Sequence, residues 1–139
     1  PYLGDRKIKI ITNATYDLLL NAKAALVTSG TATLETALLK CPEVVLYKGN
    51  MLSVAIARLL VNIKFISLVN LILDKLVVKE LIQEDCKPTE IAAQLGPLLS
   101  DTPQRAQMLS DYEALAKRVG PAGASERTAK LVRKYLNTK

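Results

Sequence analysis

Apolar and polar positions in the first half of the chain form blocks that predict strands separated by helices. Charged and apolar residues alternate over residues 7–12 (KIKIIT), as they do in a half-exposed edge strand. The predicted strands cover residues 7–12, 24–28, 43–47 and 64–68. The predicted helices cover residues 16–22, 32–39 and 52–61, the first capped by Asn13 or Thr15. This order predicts parallel strands joined by right-handed crossovers.

Helical spacing dominates the second half of the chain. Residues 69–74 are predicted to form a loop outside the carboxyl ends of the strands, where ligands bind in open α/β sheets. The helices predicted after this loop cover residues 77–83, 89–99, 103–118 and 124–136, the last one basic and capped by Ser125. The fold class that follows is α/β, a Rossmann-like open parallel sheet flanked by helices, with a helical C-terminal segment. We expect a single domain over residues 1–139, in which residues 103–139 form a helical tail.

The composition is that of a compact globular chain. Its 139 residues are 50% hydrophobic, which is enough to bury a sizeable core. The chain begins at Pro1, and no apolar run approaches the roughly 18 residues that span a bilayer. We therefore expect a soluble piece cut from a longer protein.

The charge balance points to anionic partners. Lys and Arg number 19 against 13 Asp and Glu, a net charge of +6, so a phosphate, a nucleic acid or an anionic membrane surface is a candidate partner. The basic residues are scattered, and the chain has no Trp and one Phe. A platform for stacking nucleic-acid bases needs aromatic side chains, so we expect no nucleic-acid partner.

Histidine is absent from the chain, and Cys41 and Cys86 are its only cysteines. A zinc site of the usual Cys/His kind is therefore excluded, as are nucleophiles activated by histidine. We expect no metal and no cofactor, and both cysteines to be thiols in a reducing compartment. Proton transfers would then rest on carboxylates or on residues outside this chain.

Residues 24–39 (AALVTSGTATLETALL) carry the strongest functional signal. An apolar strand runs into a turn that opens a helix, which aims backbone N–H groups and the positive helix end at one point and suits a phosphate. The candidate phosphate ligands are Ser29, Gly30, Thr31 and Thr33. Gly30 allows the backbone to approach the phosphate closely. An ordinary helix-capping turn remains the alternative interpretation.

Two further polar residues are candidates on their position alone. Glu35 lies one turn into the helix, where a carboxylate gains from the helix dipole with or without a ligand. Asn70 lies in the predicted loop, where its amide has both the donor and the acceptor needed to read uracil or hold a diphosphate. A turn residue is the alternative role for Asn70.

Several blocks together resemble the C-terminal half of the lipid-A-disaccharide synthase family: SGTATLE at 29–35, Pro42, Tyr47, SLVNL at 67–71 and ELIQ at 80–83. The resemblance extends from about residue 8 to residue 136. It implies the donor-side domain of an inverting glycosyltransferase with two Rossmann-like domains (GT-B type). Such enzymes transfer 2,3-diacylglucosamine from its UDP derivative to lipid X, giving lipid A disaccharide phosphate and UDP. The catalytic acidic residue belongs to their N-terminal domain, so we expect no catalytic residue here and an inactive fragment.

The resemblance also implies roles for individual residues. Related sugar-nucleotide transferases hold the ribose with an acid in a later helix, which favours Glu80, followed by Gln83, over Glu35. Lys75 stands where many relatives have arginine, and it offers the diphosphate a point charge. Val69 stands where many relatives have proline. The expected UDP-binding set is Ser29, Gly30, Thr31, Thr33, Glu35, Asn70, Lys75, Glu80 and Gln83.

The family also suggests where the protein works and with what. It implies a peripheral location on the cytoplasmic face of the inner membrane, where residues 51–61 and the basic last helix would suit the lipid surface, although a buried helix is the alternative for 51–61. The last helix would cross back onto an N-terminal domain, and without that domain its exposed face would favour homodimers. Three alternative functions stay open: another UDP-sugar transferase of this type, a UDP-sugar epimerase domain, or a non-catalytic nucleotide-binding module.

Overall fold

The computed structural model describes residues 8–28, 30–48, 64–121 and 123–137. Three parallel strands form one sheet, flanked by six α-helices within these ranges. The strands are β1 (Ala25–Thr28), β2 (Glu43–Tyr47) and β3 (Lys79–Ile82). The helices are α1 (Thr15–Asn21), α2 (Thr31–Leu38), α3 (Leu68–Leu73), α4 (Pro88–Leu95), α5 (Pro103–Val119) and α6 (Ala124–Leu136). Two 3₁₀ turns, Gln83–Asp85 and Gly96–Leu99, lie on either side of α4.

The sheet has the order β1-β2-β3, with Ala25 opposite Glu43 and Val44 opposite Lys79. Because all three strands run in the same direction, their carboxyl ends lie together at one end of the sheet and their amino ends lie together at the other. We call the end at Thr28, Tyr47 and Ile82 the carboxyl edge. The end at Ala25, Glu43 and Lys79 is the amino edge. The α/β fold predicted from the sequence is confirmed.

The core lies around the central strand, where Val44 and Val45 are both 1% exposed. A strand buried on both faces reads as a continuous apolar run, which is how β2 appears in the sequence. The other members of the core cluster are Ala37, Val69, Val77, Val78, Leu81, Leu98, Met108, Tyr112 and Leu115. Helix α5 contributes three of these side chains and contacts both α2 and α3.

The segment from residue 64 to residue 83 differs from its prediction. The predicted strand over 64–68 and loop over 69–74 are replaced by α3, which begins because the Ser67 hydroxyl accepts a hydrogen bond from Asn70 N (3.3 Å). Asp74, with a φ of 48°, ends this helix. The predicted helix over 77–83 is the strand β3, because Val77, Val78 and Leu81 are buried against β2.

Smaller differences concern the ends of elements. Residues 8–12 form no strand, and Ile10 is 87% exposed. The cap positions of α1 and α6 are Ala14 and Gly123, rather than the predicted Asn13 or Thr15 and Ser125. The helix predicted over 89–99 begins one residue earlier and becomes a 3₁₀ turn at Gly96. The predicted helices over 103–118 and 124–136 are confirmed, whereas the one over 52–61 lies outside the described residues.

Helix α6 buries none of its residues against the rest of the described chain. Its apolar side chains are exposed, with Tyr135 at 76% and Leu136 at 72%. Among the residues that the structure describes, no helix is both long and apolar enough to cross a bilayer.

Candidate functional site

The carboxyl edge of β1 leads directly into the start of α2. Gly30 occupies the position before the helix with a φ of 96°, a left-handed conformation that favours glycine, and it is exposed. Within the described residues no side chain caps α2, so its first backbone N–H groups have no side-chain acceptor. Thr31 is exposed beside them. Ser29, the other candidate in this turn, lies outside the described residues.

Thr33 plays a different part in the same turn. Its side chain is fully buried, and its hydroxyl donates to the Gly30 carbonyl oxygen at 3.0 Å. This bond fixes the turn from the inside. Thr33 therefore shapes the start of α2, while Gly30 and Thr31 face outward.

Glu35 is half-buried and lines an open groove of about 510 Å³. The opposite wall is the segment that begins α1, and its lining residues are Asn13, Ala14, Thr15, Tyr16 and Asp17. Thr31 and Glu35 are four residues apart, so they lie on the same face of α2. The groove thus places a carboxylate one helical turn away from the uncapped N–H groups.

The segment that begins α1 was predicted only as a cap, and its place in this groove was missed. The signal available was the polar run Asn13-Ala14-Thr15 immediately before a helix. Asn13 adopts a φ of 59°, which asparagine tolerates better than most residues. Sequence spacing alone does not show that this turn faces Glu35.

Asn70 is fully buried, and every hydrogen-bonding position of its amide is used. Its Nδ2 donates to the Val78 carbonyl oxygen (2.8 Å) and to Glu80 Oε1 (2.9 Å). Its Oδ1 accepts from Val77 N (2.8 Å) and Val78 N (3.0 Å). An amide offers two donors and two acceptor positions, so this one has none left for a ligand. Asn70 joins α3 to the start of β3.

Glu80 is engaged in the same network. Its Oε2 accepts from Ile66 N and its Oε1 from Ser67 N, both at 2.9 Å. With the bond from Asn70, this carboxylate holds the turn before α3 against the middle of β3. From the sequence, Glu80 was predicted to lie in a helix and to bind the ribose. In the structure it lies in strand β3, and its carboxylate oxygens accept hydrogen bonds from the backbone of residues 66 and 67.

Lys75 lies at the other edge of the sheet. It precedes β3, and its Nζ contacts both oxygens of Asp111 on α5, at 2.8 and 2.7 Å. Strands of four or five residues separate the two edges by roughly 13 Å. The structure therefore does not bring Lys75 together with Gly30 and Glu35, in contrast to the expectation of a shared diphosphate site.

Gln83 follows β3 at the carboxyl edge and is 9% exposed. Its φ of 51° bends the chain into the first 3₁₀ turn, where its carbonyl oxygen accepts from Cys86 N (3.1 Å). Of the predicted set, the described residues gathered at the carboxyl edge are Gly30, Thr31, Thr33, Glu35 and Gln83. Within the described ranges, no group of three or more acidic or cysteine side chains is arranged to hold a metal ion.

Comparison with known proteins shows which family the sequence belongs to. The sequence profile of a family described as lipid-A-disaccharide synthetase matches residues 3–134. The chain belongs to this family. The resemblance to the lipid-A-disaccharide synthase family seen in the sequence is thereby confirmed.

Individual lipid-A-disaccharide synthases match along most of the chain. The proteins of that name from Syntrophus aciditrophicus and Sodalis glossinidius are 43% identical over 122 residues and 41% identical over 130 residues. These matches cover 88% and 94% of the chain but 32% and 34% of the relatives. A third, from Psychromonas ingrahamii, is 41% identical and covers 99% of the chain and 35% of its own length. The chain thus spans about a third of the length of these synthases.

Proposed function

We propose that this chain is the part of a lipid-A-disaccharide synthase that binds the UDP portion of the sugar donor. The observation that carries the proposal is the pairing of the uncapped start of α2, at Gly30 and Thr31, with Glu35 in the adjoining groove. Both lie at the carboxyl edge of a parallel sheet, where α/β folds bind ligands. Family membership supports the assignment.

The diphosphate would bind at the start of α2. Backbone N–H groups and the positive end of the helix dipole stabilise negative charge there, and Gly30 adds no side chain to block the approach. Apart from the chain neighbours of Gly30, no atom of the described residues lies within 4 Å of the position that a Cβ at Gly30 would occupy, which leaves room for a ligand. When the glycosidic bond breaks, charge grows on the departing UDP, and these donors would stabilise it without a metal ion.

Glu35 is our choice for the ribose. A carboxylate accepts hydrogen bonds from two neighbouring hydroxyl groups, and the groove leaves Glu35 accessible beside the phosphate position. Glu80, the residue favoured by the sequence, already accepts three hydrogen bonds from the protein. We assign Glu80 and Asn70 to positioning the turn before α3, and Gln83 to shaping the carboxyl edge.

For the whole protein we propose the activity named for its relatives. It would transfer 2,3-diacylglucosamine from the UDP donor to lipid X and release UDP, with the catalytic acidic residue and the acceptor pocket supplied by the part that this chain does not span. The chain by itself would bind nucleotide and turn nothing over. The apolar face of α6 would pack on that other part, and the work would take place at the cytoplasmic surface of the inner membrane.

Calorimetric titration tests the proposal through a thermodynamic cycle. UDP and 2′-deoxy-UDP are titrated into the wild-type chain, the Glu35→Gln variant and the control variant Glu90→Gln, whose side chain is exposed on α4. Losing a hydrogen bond to a charged group costs roughly 1.5–3 kcal/mol, so either change alone weakens binding by about ten- to a hundredfold. Titrating 2′-deoxy-UDP into Glu35→Gln should lower the binding free energy little more than either change alone, because both changes remove the same contact. Additive losses, or full affinity in Glu35→Gln, would contradict the assignment.

A further inference from the structure

Three ionisable side chains are buried close to one another at the amino edge of the sheet, the edge opposite the groove beside Glu35. Glu43 begins β2 and is fully buried, Cys41 lies two residues before it at 2% exposure, and Tyr112 of α5 is 1% exposed. Neither carboxyl oxygen of Glu43 has a hydrogen-bond partner among the residues that the structure describes. In the sequence, Glu43 is distinguished only as the first residue of a predicted strand.

Among the residues that the structure describes, no neighbouring charge compensates for the burial of Glu43. Arg105 on α5 is the cation that acts on the cluster, through Cys41, and its guanidinium donates to the carbonyl oxygens of Lys23 and Leu98. Lys40, after α2, is exposed and paired with Glu113 of α5. Among the described residues, the remaining neighbours of β2 add no fully buried charge. Strand β1 has no ionisable residue, Lys79 of β3 and Glu90 of α4 are exposed, and Glu35 of α2 is half-buried. Glu80 of β3 is also half-buried, and its oxygens accept from Ile66 N, Ser67 N and Asn70 Nδ2.

A carboxylate buried without a partner is costly, and such a group binds a proton instead. Burial raises the pKa of Glu43 to about 9. Burial, and then the charge of Glu43, also raise the pKa of the Cys41 thiol and of the Tyr112 hydroxyl. All three groups are therefore neutral in the folded chain near neutral pH.

We propose that Glu43 is a proton-binding site built into the amino edge, so that the chain takes up one proton at this carboxyl when it folds. The unfolded chain releases that proton above the ordinary value of 4.5, whereas the folded chain keeps it to about 9. Between these values the unfolded state binds fewer protons than the folded state, so stability falls as pH rises. A salt-bridged carboxylate gives the opposite sign. The site is independent of the proposed nucleotide function.

Urea unfolding of the 139-residue chain at several pH values tests the proposal. Glu43 contributes a rise of about tenfold in the unfolding equilibrium constant per pH unit, over roughly pH 5.5–8.5. Glu43→Gln keeps the size and neutrality of the protonated acid, so this contribution disappears and the variant exceeds the wild type in stability at the upper end. Glu90→Gln, exposed on α4, retains the wild-type slope. Equal slopes in the wild type and Glu43→Gln would overturn the proposal.

A measurement on the wild-type chain covers the case in which Glu43→Gln does not fold. The carboxyl carbons of ¹³C-labelled glutamate report ionisation residue by residue in an NMR titration. The Glu43 carbon keeps the chemical shift of a protonated acid well past neutral pH. Ionisation of Glu43 in the ordinary acidic range of a glutamate carboxyl would overturn the proposal.

Discussion

Asn70 Nδ2 donates a 2.9 Å hydrogen bond to Glu80 Oε1, which ties the first turn of α3 to the middle of β3. Asn70 Oδ1 also accepts from the backbone N–H groups of Val77 and Val78, and the Glu80 carboxylate accepts from the two backbone N–H groups just before α3. The two side chains thus bind each other and fix the backbone on both sides. These hydrogen bonds give both residues a structural role at their positions.

Asn70→Ala should be strongly destabilising, because it leaves the buried N–H of Val78 without its acceptor. It also removes one of the two acceptors of Val77 N, the other being the Lys75 carbonyl oxygen (3.0 Å), and the donor to the Val78 carbonyl oxygen. The expected loss in the free energy of unfolding is about 2–4 kcal/mol, measured by urea denaturation. Asn21→Ala is the matched control: its side chain is exposed and makes one bond, to the Asp17 carbonyl oxygen. That variant should stay within about 0.5 kcal/mol of the wild type. Similar losses in the two variants would contradict the network.

Glu80→Gln should loosen the turn before α3 with little change in the rest of the fold. In glutamine one of the two oxygens is replaced by an NH₂ group, which is a donor and cannot accept from a backbone N–H. The hydrogen bond from Ile66 N or from Ser67 N is therefore lost. Amide hydrogen exchange at these two residues should become faster by roughly tenfold or more, equivalent to about 1.4 kcal/mol. Glu84→Gln, which is exposed, serves as the control. Unchanged protection at Ile66 and Ser67 would show that Glu80 does not hold this turn.

Lys75→Met should leave UDP affinity unchanged, because Lys75 pairs with Asp111 at the edge opposite the groove. The Lys75 side chain is 52% exposed, so loss of this ion pair lowers stability by about 1 kcal/mol or less. Calorimetric titration with UDP and urea denaturation measure the two effects. A tenfold loss of UDP affinity would restore the role in diphosphate binding that the sequence suggested.

The isolated chain should self-associate through α6. Leu131, Val132, Tyr135 and Leu136 are all more than half exposed on this helix, and burial of apolar surface drives association. Light scattering should give a mass that rises with protein concentration, and replacing Leu131 and Tyr135 by Ser should abolish the rise. Thr128→Ser, on the same helix, should behave as the wild type does. A constant monomer mass for the wild type at high concentration would refute this prediction.

The sequence predicted well those elements whose pattern is local. Helix α5 begins where Pro103 follows the capping residue Thr102, and β2 is an unbroken apolar run after its first residue. In the segment from α3 to β3, helix and strand were predicted in each other's place. The structure of this segment depends on contacts between residues apart in the sequence, such as the hydrogen bond from Asn70 to Glu80. Periodicity also cannot distinguish a short buried strand from a short helix in a sequence such as VVKELI.

The candidate site was only partly predictable for the same reason. The turn at Gly30 could be identified because a glycine between a strand and a helix leaves a local signature. The sequence favoured Glu80 over Glu35 for the ribose, because it does not show that the backbone of residues 66 and 67 already donates to the Glu80 carboxylate. The burial of Glu43 likewise follows from the packing of α5 over the amino edge, and it cannot be predicted from the sequence pattern of the strand.

On the proposal made above, UDP binds at the carboxyl edge, between the start of α2 and the turn before α1. An NMR titration of the ¹⁵N-labelled chain with UDP, followed through the backbone amides, locates the bound nucleotide. We expect saturable shifts at Gly30, Thr31 and the amides of residues 13–16, with none around Lys75 and Asp111. Shifts centred on Lys75 and Asp111, or no saturable shift at Gly30 and Thr31, would contradict it.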